Sequence, residues 1–469
     1  MKNNEKFFEK LLIAGVVLLL ANFFYLLVLS SPAILGAVIS LTLSYLLFFC
    51  FARFNKKELP PLVGNSLFLF TSGWVGFASI LVAHGNLLTY GNFLSAMGDD
   101  MTFFENAQYF AESGQLTYSI FDLFTGLLYY IYQSIGVPVD ALCLLPINWG
   151  AAALVVIVLY TLVVRMVGGV TRPVLFCCGL IGNFTFMSVS FLFVRDIVGV
   201  LFFVCALWFA FSRKPIRAGF ASLGALLVRG ANGLLAIAII PFGLFSNWFA
   251  GKRAVLSLCL VALTVVAFYF GSFAAAYLGS VFRTADGGSI DLMEARSAMM
   301  QQQDDIAFVR GGRFDMTMMF YQLGPVGIPF RYATNLLAPV RMVASEGMVR
   351  VQGQTSKHQM FGKWWRSYYQ NLYVLLIPFF APFLLYGIYT AFRDPKYNSY
   401  FFAFMLVLTA VVLISLQDRH KLLFIVFYPV FIELGAQAAL RDRAQIFLRV
   451  ATLCLIGLLY PLNFYLMLR

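Results

Sequence analysis

Two adjacent carboxylates, Asp99 and Asp100, open a segment rich in aromatic residues, GDDMTFFENAQYFAESG. Phe103, Ala107 and Phe110 recur at helical spacing, which predicts an amphipathic helix that begins at the acidic pair. Adjacent carboxylates can act as a general base or bind a divalent cation. They can also simply cap the free backbone N–H groups and favour the helix dipole.

Basic residues stand at two places where an anion could bind. Arg419, His420 and Lys421 precede the apolar run LLFIVFYP, and Arg229 lies near the middle of the apolar stretch 218–249. Guanidinium groups bind phosphate in bidentate fashion. The alternative is that these residues anchor the ends of apolar helices at a lipid–water interface.

A further charged pair, Arg195-Asp196, begins another apolar segment. The two side chains could satisfy each other at an interface. Alternatively, Asp196 could join Asp99 and Asp100 in binding a metal ion, Mg²⁺ or Mn²⁺, or could bind an acceptor substrate. The sequence leaves the metal open.

The elements that position these residues must be membrane helices. The chain has 469 residues, of which 61% are hydrophobic and only 12% charged. Soluble proteins average about 25% charged residues, so this chain cannot cover a soluble surface. Long unbroken apolar stretches also exclude an outer-membrane barrel, whose strands alternate in polarity.

About thirteen stretches are long enough to span a membrane, if 218–249 is a hairpin of two short spans. The others are 11–29, 33–52, 63–84, 142–164, 173–192, 197–212, 254–278, 371–392, 399–416, 421–438 and 447–467. We therefore predict an all-α polytopic membrane protein with a single transmembrane domain, residues 1–469.

The stretch 117–136 decides the topology. If it lies on the membrane surface, the short basic turns all fall on one side, which the positive-inside rule makes cytoplasmic. If it crosses, every later basic turn becomes external. We therefore predict an interfacial helix, a cytoplasmic N-terminus, an external C-terminus and two large external loops, 85–139 and 279–370. The net charge of +12 is then a consequence of topology, and we expect no nucleic-acid partner.

The spacing Asp99-x-x-x-Phe103-x-x-x-Ala107 resembles the first-loop signature of the GT-C superfamily of membrane glycosyltransferases. The segment from Asp418 to Pro429 is similar to the R-Y-x-x-x-x-x-P element with which family members enter a late span from outside. Two features differ: two extra spans precede the acidic loop, and His420 replaces the usual tyrosine.

The resemblance implies transfer of a sugar from a polyprenyl-phosphate donor to an envelope glycan or lipid acceptor, with inversion, at the external face of a bacterial inner membrane. It implies that Asp99 or Asp100 is the base, with Asp99 at the pattern position. It also implies a site for the donor phosphate, for which Arg419, His420, Lys421 and Arg229 are the candidates. Loop 279–370 could act as a lid over the acceptor site, or it could simply pack onto the bundle.

Two other classes remain open. An O-antigen-type polysaccharide polymerase also uses polyprenyl-linked sugars and has a large external loop with essential arginines, here Arg310, Arg313, Arg331 and Arg341. Such an enzyme does not need the acidic pair. A transporter or flippase predicts paired halves and charges within the membrane, and the sequence has no internal repeat.

Overall fold

The computed structural model describes residues 2–94, 99–115, 119–249, 332, 336, 359–414, 421–441 and 444–468. Within these ranges the fold is all-helical, as predicted. The helices are α1 (Lys2–Leu29), α2 (Ser31–Phe54), α3 (Pro61–Tyr90), α4 (Asp99–Ser113), α5 (Ile120–Ser134), α6 (Ala141–Leu144), α7 (Pro146–Val167), α8 (Pro173–Leu180), α9 (Phe184–Ser190), α10 (Asp196–Phe211), α11 (Pro215–Val228), α12 (Gly230–Leu244), α13 (Gln359–Arg393), α14 (Asn398–Ile414), α15 (Leu422–Ile425), α16 (Tyr428–Arg441) and α17 (Ala444–Leu468). A short 3-10 turn, Ser246–Phe249, follows α12.

Among the described residues, six helical segments are long and apolar enough to cross a membrane. They are Asn4–Leu29, Ser31–Phe54, Pro61–Leu88, Ala141–Val167, Asn371–Arg393 and Leu422–Leu440. Five shorter apolar segments accompany them: Asp196–Phe211, Pro215–Val228, Gly230–Leu244, Asn398–Val412 and Leu448–Leu458. The chain is thus a multi-pass membrane protein. The predicted span 254–278 lies outside the described residues, so the count of about thirteen crossings stays a prediction. Of the predicted loop 279–370, the structure describes Tyr332, Leu336 and residues 359–370, and the last of these form the start of α13 rather than a loop.

The predicted single span 173–192 is instead a pair of helices, α8 and α9, bent by 62°. The break is stabilised by Asn183, whose side-chain oxygen accepts hydrogen bonds from the backbone N–H groups of Thr185 (2.9 Å) and Phe186 (3.3 Å). Its amide donates to the hydroxyl of Tyr373 at 3.2 Å. Free backbone groups at membrane depth need such partners within the protein, because lipid offers none.

Helix α7 is the centre of the bundle. Residues 141–163, which include most of α7, are all buried, whereas only 22% of the apolar window of α1 and 28% of that of α2 are buried. A helix that is apolar on all sides belongs in a core, and α2, α3, α10 and α16 pack around it. The sparsely buried α1 and α2 leave most of their apolar surface for lipid.

The segment 117–136 contains α5, a helix of 15 residues. One face is buried: the Tyr132 hydroxyl lies 3.2 Å from the Ser40 hydroxyl of α2. The opposite face is an exposed apolar stripe at helical spacing, formed by Ile120, Phe124, Leu127, Ile131 and Ile135. This amphipathic form fits a helix that lies in the membrane interface.

The turns that we predict to be cytoplasmic meet at one end of the bundle, here called the Arg165 end. The Arg165 guanidinium pairs with Glu58 at 3.1 Å, joining the α7–α8 turn to the α2–α3 turn. The Asn4 amide donates to the Val170 carbonyl at 3.0 Å, which places the N-terminal turn beside them. The opposite end, here called the Asp100 end, includes α4, α5 and the start of α10.

Candidate functional site

The start of α4 places Asp100 in the wall of a small pocket. Its side chain is only 4% exposed. The other lining residues come from α3, from the turn before α4, from Leu145 and from the segment between α9 and α10: Ser79, Val82, Ala83, Asn86, Phe93, Leu94, Phe191, Leu192 and Phe193. Asp99 is the first residue of α4, but its side chain lies outside what the structure describes. Of the two predicted carboxylates, Asp100 is therefore the one with a described place in a pocket.

One helical turn beyond the acidic pair, the ring of Phe103 contacts a guanidinium group. The Arg195 guanidinium carbon lies 5.3 Å from the centre of that ring. This cation–π contact joins α4 to the start of α10. It brings a cation to the same end of α4 as the carboxylate of Asp100, although neither the charge pattern nor the spacing of the sequence indicated it.

A second set of contacts fixes the segment that carries Arg195. The Asn148 amide of α7 donates to the carbonyls of Leu192 and Val194, the latter at 3.0 Å. The ring of Phe193 lies 5.6 Å from that of Phe121 in α5, which in turn lies 5.7 Å from Phe103. Hydrogen bonds and edge-to-face or tilted ring contacts therefore hold α4, α5 and the α9–α10 segment together at the Asp100 end.

Asp196 forms an ion pair with a residue of a different helix. Its carboxylate pairs with the guanidinium of Arg229, which lies at the break between α11 and α12. The two side chains are 5% and 15% exposed. Sequence reasoning placed these residues in separate roles, Asp196 for an acceptor or metal and Arg229 for a donor phosphate. The structure brings them together, so each partly neutralises the other.

The predicted phosphate-binding cluster is described only at Lys421, because Arg419 and His420 lie outside the described residues. Lys421 precedes α15, which packs against α9 and α10. The rings of Phe427 and Phe203 are 6.4 Å apart.

Helix α10 runs in the same direction as α15 and α16, and this places Lys421. The far end of α10 reaches the Arg165 end, where the Ser212 hydroxyl accepts a hydrogen bond from Arg165. Helix α16 reaches the same end, where the Glu433 carboxylate accepts from the backbone N–H of Thr171 at 2.8 Å. Asp196 and Lys421 precede the Phe203–Phe427 contact by seven and six residues, so both lie toward the Asp100 end.

The arrangement does not favour a metal ion at Asp196, because a guanidinium already occupies its carboxylate. Among the described residues, no group of three or more His, Cys, Asp or Glu side chains is placed to hold a metal. The expected Mg²⁺ or Mn²⁺ site stays a prediction.

The chain matches no protein-family model, no curated protein and no solved structure. What the site can do is accordingly argued from its own residues. A buried carboxylate in a pocket can accept a proton, and arginine and lysine side chains at the same end of the bundle can bind an anion.

Proposed function

We propose that the protein is a membrane glycosyltransferase of the GT-C type, which moves a sugar from a polyprenyl-phosphate donor to an envelope glycan or lipid acceptor. The observation that carries the proposal is the position of Asp100. Its buried carboxylate lines a pocket at one end of the bundle, and Arg195, Arg229 and Lys421 lie at that same end.

The chemistry needs a base and an anion site close to each other. In the proposed step, the acceptor hydroxyl gives its proton to the carboxylate of Asp100 or Asp99. The hydroxyl oxygen attacks the anomeric carbon, the bond from that carbon to the phosphate oxygen breaks, and the phosphate leaves with the electron pair. Attack opposite to the leaving group inverts the anomeric centre.

The leaving phosphate gains negative charge, so cations near it lower the barrier. Lys421, with Arg419 and His420 before it, is the first group that we assign to this role. Arg195 is the second, since its guanidinium lies against the ring of Phe103, which is one helical turn beyond the acidic pair. Arg229 contributes less net charge than expected from the sequence, because Asp196 is paired with it.

The proposed sidedness follows from the two ends of the bundle. The basic turns collect at the Arg165 end, which the positive-inside rule makes cytoplasmic. The Asp100 end then faces outward, where polyprenyl-linked donors would be used. We propose about thirteen crossings, a cytoplasmic N-terminus, an external C-terminus, and insertion in a bacterial inner membrane.

The test is to express Asp99→Asn and Asp100→Asn separately in a strain that lacks the protein, and to compare envelope glycans by mass spectrometry. We expect normal protein levels and loss of a sugar mass in at least one variant. Glu112→Gln is the matched control, because Glu112 is an exposed carboxylate on the same helix, hydrogen-bonded to Gln108 at 2.9 Å.

Wild-type glycans in both aspartate variants would overturn the proposal. The polymerase alternative depends on arginines of loop 279–370, which lie outside the described residues. Retention of full-length polysaccharide in the aspartate variants, with loss in Arg310→Ala or Arg313→Ala, would establish that alternative instead.

A further inference from the structure

The Arg165 end contains an arrangement that the proposed function does not use. The indole of Trp208 contacts two cations: the Arg165 guanidinium carbon and the Lys214 Nζ each lie 5.3 Å from its ring centre. Arg165 also donates to the Ser212 hydroxyl and pairs with Glu58. These contacts fix the turn between α10 and α11 against the end of α7.

The turn adds further positive charge. Arg213 and Arg217 are both exposed, on either side of the half-buried Lys214. Partial burial, together with the charges of Arg217 and Arg165, lowers the pKa of Lys214. The cations are therefore close enough to repel one another, and an added anion would relieve that repulsion.

Arg213 adopts a backbone conformation with φ of 56°, which side-chain-bearing residues rarely adopt. The turn also leads directly into the N-terminus of α11, where Pro215 occupies the first turn. Free backbone N–H groups there add a partial positive charge. Four basic side chains and a helix N-terminus thus converge on one short turn.

An apolar stripe begins at this turn and runs along α11. Its members are strongly exposed, at 75% for Ile216, 70% for Phe220, 47% for Leu223 and 49% for Leu227. Their spacing places them on one face of the helix. In a membrane protein such a face meets acyl chains, and here it starts where the basic residues end.

We propose that this turn and stripe bind one anionic phospholipid, with its phosphate on Arg213, Lys214 and Arg217 and an acyl chain along α11. A cluster of basic residues at the end of a membrane helix suits an anionic headgroup. The inference is independent of the proposed sugar transfer, since it concerns the opposite end of the bundle.

The test uses the full-length protein, purified in detergent and equilibrated with equal amounts of phosphatidylglycerol and phosphatidylcholine. Native mass spectrometry then measures which lipid remains bound. We expect wild type to retain phosphatidylglycerol preferentially. The double variant R213Q/R217Q should bind phosphatidylglycerol with an affinity lower by on the order of tenfold. Arg393→Gln is the matched control: Arg393 is also exposed and beside an aromatic ring, that of Tyr389, but lies outside the cluster.

A second arm distinguishes a lipid from a free phosphate, using Phe220→Gln and a titration with inorganic phosphate. Phe220→Gln keeps every basic residue, so it should weaken phosphatidylglycerol binding by several-fold. Equal retention of the two lipids by wild type, or unchanged binding in a monodisperse R213Q/R217Q variant, would overturn the proposal. If inorganic phosphate displaced phosphatidylglycerol and bound with the same affinity, the site would be one for a soluble anion and the proposal would be overturned.

Discussion

The carboxylate of Asp196 pairs with the guanidinium of Arg229, and this pair joins the start of α10 to the break between α11 and α12. Both side chains are largely buried, so the pair is shielded from water. Removing one partner would leave a buried charge without its counter-ion.

We therefore expect Arg229→Gln to lower the free energy of unfolding by about 3 kcal/mol. The double variant Asp196→Asn/Arg229→Gln should recover part of that loss, since no charge is then left alone. Denaturant-induced unfolding in detergent micelles measures both. Arg165→Gln is the control, because its pair with Glu58 is more exposed and should be worth about 1 kcal/mol or less. Equal losses for Arg229→Gln and Arg165→Gln would contradict this account.

Arg195 should matter for activity through its position above Phe103. We expect Arg195→Ala to reduce sugar transfer on the order of a hundredfold, because a cation near the developing phosphate charge is lost. Phe103→Leu keeps the apolar packing but removes the ring, and should reduce transfer only several-fold. Quantitative mass spectrometry of envelope glycans, normalised to protein level, provides the measurement. Full transfer by Arg195→Ala would remove this residue from the site.

Helices α13 and α16 approach closely at two glycines. A methyl group at Gly435 would overlap the carbonyl oxygen of Phe383, and one at Gly387 would overlap that of Phe431. Small residues allow this backbone approach between membrane helices. We expect Gly435→Ala to destabilise the protein by about 1–3 kcal/mol.

The control for that variant is Gly457→Ala in α17, where an added methyl group meets no atom within 4 Å. It should leave the thermal unfolding temperature unchanged or raise it slightly. If both alanine variants behaved alike, close packing of α13 on α16 would not be the cause.

Asn183 should be the polar residue on which the bend between α8 and α9 depends. Asn183→Ala removes the cap of α9 and the hydrogen bond to Tyr373, so we expect a loss of about 2 kcal/mol. Tyr373→Phe removes only the second contact and should cost about 1 kcal/mol. Unfolding of the two variants side by side separates these contributions, and an unchanged Asn183→Ala protein would show that the bend does not need its cap.

The sidedness of the two ends can be tested by labelling. Single cysteines at Glu112 and Lys57, both exposed, mark the Asp100 end and the Arg165 end. We expect a membrane-impermeant maleimide to label Glu112→Cys on intact cells and Lys57→Cys only after permeabilisation. Wild type sets the background from its native cysteines. The reverse pattern would invert the proposed topology.

Much of the fold could be predicted because apolar length is a strong signal. Every predicted span outside 254–278 coincides with an apolar helix or with the bent pair. The bend itself was missed, although Gly182-Asn183 within an apolar run is a known breaker signal. The prediction that α5 lies in the interface came from charge sidedness rather than from apolarity.

The site was less predictable, because charge pairing between distant helices leaves no trace in local spacing. The pair Asp196–Arg229 and the contact of Arg195 with Phe103 depend on how α4, α10 and α11 pack. The acidic pair came from local spacing and from the family resemblance, which ranked Asp99 first, and its role stays a prediction. Asp100 is the member of the pair whose surroundings are described. The assignments of Arg419 and His420 stay predictions.

The burial of α7 on every side has a consequence for biogenesis. This helix is synthesised before α10 and α16, which later cover it, so lipid must first occupy the surfaces that those helices take over. Its Asn148 amide finds the carbonyls of Leu192 and Val194 only when the following segment arrives. Until that moment the Asn148 amide lacks these hydrogen-bond partners, which favours docking of the α9–α10 segment against α7. The positioning of Arg195 is therefore a late event of assembly, completed only after the chain on both sides of it has entered the membrane.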